Sequence, residues 1–186
     1  MEIKKPEKFD PFTDRTARDI RNTLSEAFAS ALASMDPDEY FKTARRWRSL
    51  KPSALYIRYI DKRLERYDLV FKKIREDRID APLQQAVVIW NQGLFFELHD
   101  HLETLWKATT GDRRQMLKGL IKAAGVYVHL EQRHEEAAGS LARKAYNLLR
   151  QYTHCLSFIA NYKALLEGLE NCEPVPPRLL ISSICD

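Results

Sequence analysis

Cysteine is nearly absent from this 186-residue chain: Cys155, Cys172 and Cys185 are an odd number with no C-x-x-C pair. That leaves neither a disulfide framework nor a cysteine zinc site to build on. Glycine is scarce at 6 residues and proline modest at 8, which excludes long flexible linkers. No apolar run approaches the roughly 18–20 residues needed to span a bilayer, so no membrane partner is expected. The opening MEIKKPEKFDPF has no apolar stretch behind its lysines and does not read as a signal peptide. These absences point to a soluble chain of a reducing cytoplasm. Also missing are G-x-x-x-x-G-K-[ST] and G-x-G-x-x-G, which would cradle a nucleotide phosphate. H-E-x-x-H, the common zinc-protease helix, and G-x-S-x-G, the hydrolase elbow, are absent too. No reaction class follows from what remains.

Charge is plentiful and unevenly spread. The chain carries a formal +4, but residues 42–75 hold 12 Lys and Arg against 3 Asp and Glu. That local excess of nine cations leaves a net −5 for the remainder. Arg45, Arg46, Arg48, Arg58, Lys62 and Arg66 are interleaved with Trp47, Tyr56, Tyr59 and Tyr67. Such a segment can meet an anionic partner, with phosphate contact and base stacking as the nucleic-acid version, or serve as a solvated helix surface.

Hydrophobic spacing of three and four dominates, and no strand-like alternation persists. The chain is 45% hydrophobic, enough for a substantial core. The fold expected is all-α, a multi-helix bundle of antiparallel helical hairpins. Helices are expected over 13–34, a short stretch after Asp36-Pro37, 53–76, 82–92, 94–108, 112–132, 135–152 and 155–171. The third carries the stripe Ile57, Ile60, Leu64, Tyr67, Phe71 and Ile74. In the 112–132 helix, Leu117, Leu120, Ile121, Ala124 and Tyr127 form a core stripe, beside a small-residue ridge of Gly119, Ala123 and Val126. The break at 78–82 suggests three regions: a basic helical region 1–80, a helical domain 81–172 and a proline-rich tail 173–186. The tail is expected to be extended, with Leu179, Leu180 and Ile181 docked on a helix.

The segment richest in chemistry is FFELHDHLETLW, residues 95–106. Phe95, His99, Leu102 and Trp106 follow spacings of four, three and four and share a face. Glu103 stands one turn after His99, where side chains come within about 5–6 Å. The two can converge on one ion, or share a hydrogen bond that only fixes helix packing. Imidazole with carboxylate suits zinc, iron or manganese. His101, two positions on, lies roughly 200° around the helix and points elsewhere. A zinc site normally needs three protein ligands plus water, or four. An antiparallel hairpin of 94–108 with 112–132 brings His129 toward Glu97 or His99, so His129 and Glu97 are the candidates for a third ligand.

The stretch 86–149 resembles the bacterial and archaeal domain-of-unknown-function 309 family. The matching features are Asn91-x-Gly93, Phe95-Phe96-Glu97-x-His99, His99-x-x-x-Glu103-x-x-Trp106, Gly111, Arg114, Gly119-Leu120-Ile121 and His129. The resemblance implies an all-α fold and a metal suggested to bind at the H-x-x-x-E-x-x-W motif. His99 and Glu103 would then be ligands, with His129 or Glu97 the third. Trp106 would be a packing wall, Arg114 a supporting or anion-facing charge, and Asn91 a supporting or packing residue. Lys118 and Lys122 stand where family members tend to carry glutamine, and Asp100 where they tend to carry glutamate. The added ammonium groups disfavour a cation and favour an anionic ligand. The remaining alternative is a scaffold or homo-oligomeric interaction protein that binds no metal.

Overall fold

The computed structural model describes residues 8–183; Cys185 lies outside them. It is all-helical, and the chain divides into two compact units at residues 72/73.

The first unit holds α1 (Arg15–Ser34), α2 (Asp38–Ser49) and most of α3 (Ala54–Asp77). The Asp14 carboxylate caps α1 by accepting from the Thr16 N–H. Asp36 accepts from the Asp38 N–H at 3.0 Å and Pro37 already has helical dihedrals, so the Asp-Pro pair opens α2 as a capping residue followed by proline in the first turn. The expected stripe of α3 is buried from Ile60 through Leu64, Tyr67, Phe71 and Ile74, whereas Ile57 stays half-buried. Phe28 of α1 stacks on Tyr67 with ring centroids 4.4 Å apart, and Tyr40 of α2 meets Tyr67 edge-on. The Tyr40 hydroxyl donates to Asp68, so its polar tip is satisfied as the ring is buried.

The second unit holds α4 (Pro82–Asn91), α5 (Phe95–Lys107), α6 (Gly111–Glu131), α7 (Glu135–Leu149), a 3-10 turn (Thr153–Leu156) and α8 (Tyr162–Glu170). Short links make α5–α6 and α6–α7 antiparallel hairpins, with α6 packed against both neighbours. This division of labour explains its two apolar faces. Gly119 of the small-residue ridge faces Leu149, and Gly125 faces Leu141, so α7 packs on both glycines of α6.

The expected helix over 155–171 is broken. Residues 157–161 leave the helical path because the tail pairs with them: Ala160 N–H donates to Leu180 O, Ser182 N–H donates to Phe158 O, and Ile159 bridges Ile181. The tail is extended as expected, but only Leu179 of its apolar trio is buried; Leu180 is 52% exposed.

Candidate functional site

Gly93 sets the entry to α5. Its φ of 64° reverses the chain after α4, while its N–H bonds Trp90 O and that of Leu94 bonds Ile89 O. A side chain is strained in that left-handed conformation, which accounts for glycine there. The turn delivers Leu94, Phe95, Glu97, Leu98 and Leu102 to the interior. The buried face is therefore centred on Leu98 and Leu102, one turn apart. The sequence stripe of Phe95, His99, Leu102 and Trp106 is offset from it, and His99 and Trp106 sit at its half-buried edge.

His99 has acidic groups on both sides. Its Nδ1 lies 3.6 Å from the Asp100 carboxylate and its Nε2 lies 3.9 Å from that of Glu103. Both distances exceed a hydrogen bond. Nδ1 is shielded from water and has no hydrogen-bond partner. The side chains of His99 and Glu103 are 34% and 43% exposed, so the pair opens to solvent on one side.

The other candidates fall into different settings. Glu97 is 2% exposed, deep in the second unit. His129, in the last turn of α6, is half-buried with its ring 5.9 Å from that of His134. Among the described residues no three His, Cys, Asp or Glu side chains group so as to hold a metal ion. Trp106 is covered by Arg114, whose guanidinium lies 4.1 Å from the ring centroid and donates to Thr109 O. Asn91 supports the tail: its amide donates to Leu179 O and its carbonyl accepts from Leu179 N–H, each at 2.8 Å. Asn161, which sequence reasoning passed over, makes the matching pair with Arg178 O and Leu180 N–H. Neither pairing can be read locally, because the partners lie 88 and 17–19 positions away.

His101 points away from His99, as its position predicts, and its Nε2 meets Pro82 O at 3.1 Å. Burial pushes its pKa down, against the raising effect of that carbonyl. Burial lowers His129 as well, with His134 adding to it. Both imidazoles are therefore harder to protonate in the fold than in the unfolded chain. Their contribution to stability is complete above the ordinary histidine value of about 6.5 and is lost as pH falls through the lowered values. The urea midpoint is expected to drop between about pH 7 and pH 5. His101→Gln, which can still donate to Pro82 O, should make that drop shallower; an unchanged slope would show that His101 does not contribute.

In the first unit, Arg45, Arg46, Arg48, Arg58 and Lys62 are exposed and Arg66 is half-buried. Arg48 is paired with Asp61. The aromatic residues between them are occupied within that unit. Trp47 donates to Thr23, Tyr56 donates to Asp14, Tyr59 stacks on Phe9 at 3.5 Å, and Tyr67 is fully buried. The cations can meet phosphate, but base stacking on these rings would require rearrangement.

Among the described residues, no helix is long and apolar enough to cross a membrane. No curated protein and no solved structure matches the chain. Residues 83–141, which run from α4 into α7 and include His99, Glu103, Trp106, Arg114 and His129, match the family described as Domain of unknown function (DUF309).

Proposed function

We propose that the second unit is a small-ligand-binding module whose site is the His99–Glu103 pair of α5, and that a divalent transition metal (zinc, iron or manganese) is the ligand its chemistry suits. One observation carries this reading: the imidazole and the carboxylate face each other at 3.9 Å, too far apart to satisfy one another by hydrogen bonding. The gap opens to solvent on one side and leaves both facing groups able to turn to a third partner. Two donors at about 2.0–2.2 Å from a tetrahedral zinc lie a little over 3 Å apart, a spacing that a small side-chain rotation reaches. Two protein donors hold a metal weakly and leave its other positions to water or to a bound small molecule. The reading therefore favours a reversibly bound ion over a structural metal.

Calorimetric titration of untagged protein with zinc chloride tests the proposal. About one equivalent should bind. His99→Ala should abolish binding, and Glu103→Gln should weaken it by at least about tenfold, the scale of one lost metal-supporting group. Because His99 is one-third exposed, its replacement should leave the circular dichroism spectrum unchanged. No uptake, or uptake that survives His99→Ala, would remove the proposal.

A further inference from the structure

Residues 43–64 carry seven Lys and Arg against a single acid, Asp61, and α2 and α3 bring them to one end of the first unit. Two contacts fix the direction of that helix pair. The Tyr40 hydroxyl donates to Asp68, and Arg48 pairs with Asp61. Going back along α2 from 48 to 40 therefore goes forward along α3 from 61 to 68, so the helices are antiparallel and residues 51–53 are their turn. Arg45 stands one turn before Arg48 on α2. Arg58 stands one turn before Asp61 and Lys62 on α3. All four cations border one seam, with Lys51 at its turn end.

The chain leaves most of this charge unneutralised. Arg45, Lys51, Arg58 and Lys62 are exposed, and among the described residues none of them forms an ion pair. Glu65, the next acid along α3, is exposed and pairs with none of them. Other exposed cations do find carboxylates on their own helices: Arg15 with Asp19, Lys42 with Glu39 and Lys73 with Asp77. Arg58 and Lys62, four positions apart, repel one another, and a bound polyanion relieves that repulsion.

The surroundings select the kind of anion. A protein interface is anchored by exposed apolar and aromatic side chains, and a helix on a membrane surface lays an apolar face into the bilayer. Here the apolar faces are spent on the core, with Tyr40, Ala44, Ile60 and Leu64 buried. Leu50 is the one large apolar side chain exposed within residues 43–64. A single strand needs aromatic platforms for its bases, and Trp47, Tyr56 and Tyr59 are engaged inside the unit. Phosphate needs neither, and the guanidinium fork meets it with two hydrogen bonds. We infer that this end of α2 and α3 grips the backbone phosphates of a nucleic-acid duplex without reading its bases. The inference stands on the first unit alone and does not depend on what His99 and Glu103 bind.

Fluorescence anisotropy of the full chain with labelled, mixed-sequence DNA and RNA duplexes tests it. At low ionic strength at least one of the two should bind, and two unrelated sequences of that duplex should bind within about twofold of each other. Log affinity should fall with log salt at a slope of roughly −3 to −4, about 0.9 for each unpaired cation of the seam. Arg58→Glu combined with Lys62→Glu should weaken binding at least tenfold and make the slope shallower by about 2. Both side chains are exposed, so the circular dichroism spectrum should not change. The control, Arg143→Glu combined with Lys144→Glu, removes the same charge from exposed positions of α7 and should leave the affinity within about twofold. Equal losses for the two double variants would make the binding a matter of net charge and overturn the inference. So would the absence of duplex binding at low ionic strength, or tighter binding of the unpaired strand. Uptake onto phosphatidylserine vesicles by a chain that ignores both duplexes would make the partner a membrane surface and overturn it as well.

Discussion

Trp90→Ala is expected to destabilise the protein by about 3–5 kcal/mol, the range for truncating a large buried aromatic. Trp90 is 3% exposed at the end of α4. Its ring meets Phe95 and Tyr127 edge-to-face, each at 5.2 Å and 84°, while those two stack on one another at 4.9 Å. Such pairs add roughly 0.5–1.5 kcal/mol each beyond the area they bury. The same ring donates from Nε1 to Pro177 O, so one side chain joins α4, α5, α6 and the tail. Trp90→Phe separates the two contributions. It keeps much of the packing and removes the donor, for an expected loss near 1 kcal/mol from the hydrogen bond. Urea denaturation followed by far-ultraviolet circular dichroism measures both. A loss below about 1 kcal/mol for the alanine variant would mean that this cluster does not hold α4 to α5 and α6.

Gly119→Val is the second large effect, an expected loss of about 2–3 kcal/mol from overpacking. A Cβ at Gly119 would fall 2.6 Å from Leu149 Cδ2 and 2.7 Å from its Cγ, with the Leu149 backbone nitrogen 3.5 Å away. Leu149 is fully buried at the end of α7, so it has no open direction in which to turn. A branched side chain deepens that clash. Gly125→Ala is the control. Its Cβ would press only on Leu141 Cδ2, at 2.7 Å, and Leu141 is half-buried and free to change rotamer. Alanine there also gains up to about 1 kcal/mol of helix propensity, so the change should be close to neutral. Equal urea midpoints for Gly119→Val and Gly125→Ala would contradict the tight seating of buried Leu149 against Gly119.

The contrast between these glycines bears on what a sequence can reveal. Spacing alone marked Gly119, Ala123 and Val126 as a ridge for another helix, because helical periodicity is a local property. The same logic located α3, whose start is set by Lys51-Pro52-Ser53 and whose stripe runs unbroken from Ile60 to Ile74. It failed at 157–161. Leu156, Ile159, Tyr162 and Leu165 follow at three-residue intervals through that stretch, but the tail some twenty residues later captures its main chain. Asn91, expected as a supporting or packing residue, holds the backbone of Leu179 through its amide, a partnership 88 positions long that no local pattern encodes. At the site itself, the one-turn spacing brought His99 and Glu103 to the same edge of α5. The offset of the buried face toward Leu98 and Leu102 depends on how α5 meets α4 and α6, and no local pattern encodes it.

The most direct measurement of the central claim is a two-dimensional NMR spectrum of the histidine ring nitrogens, recorded while zinc is added. The chain has five histidines, so each ring can be followed separately. A ligand at the α5 pair should move the His99 ring nitrogens first and at one equivalent, while His101, committed to Pro82 O, keeps its shifts. Ring signals of His99 that stay fixed through excess zinc, or that move only together with those of exposed His154, would contradict the claim.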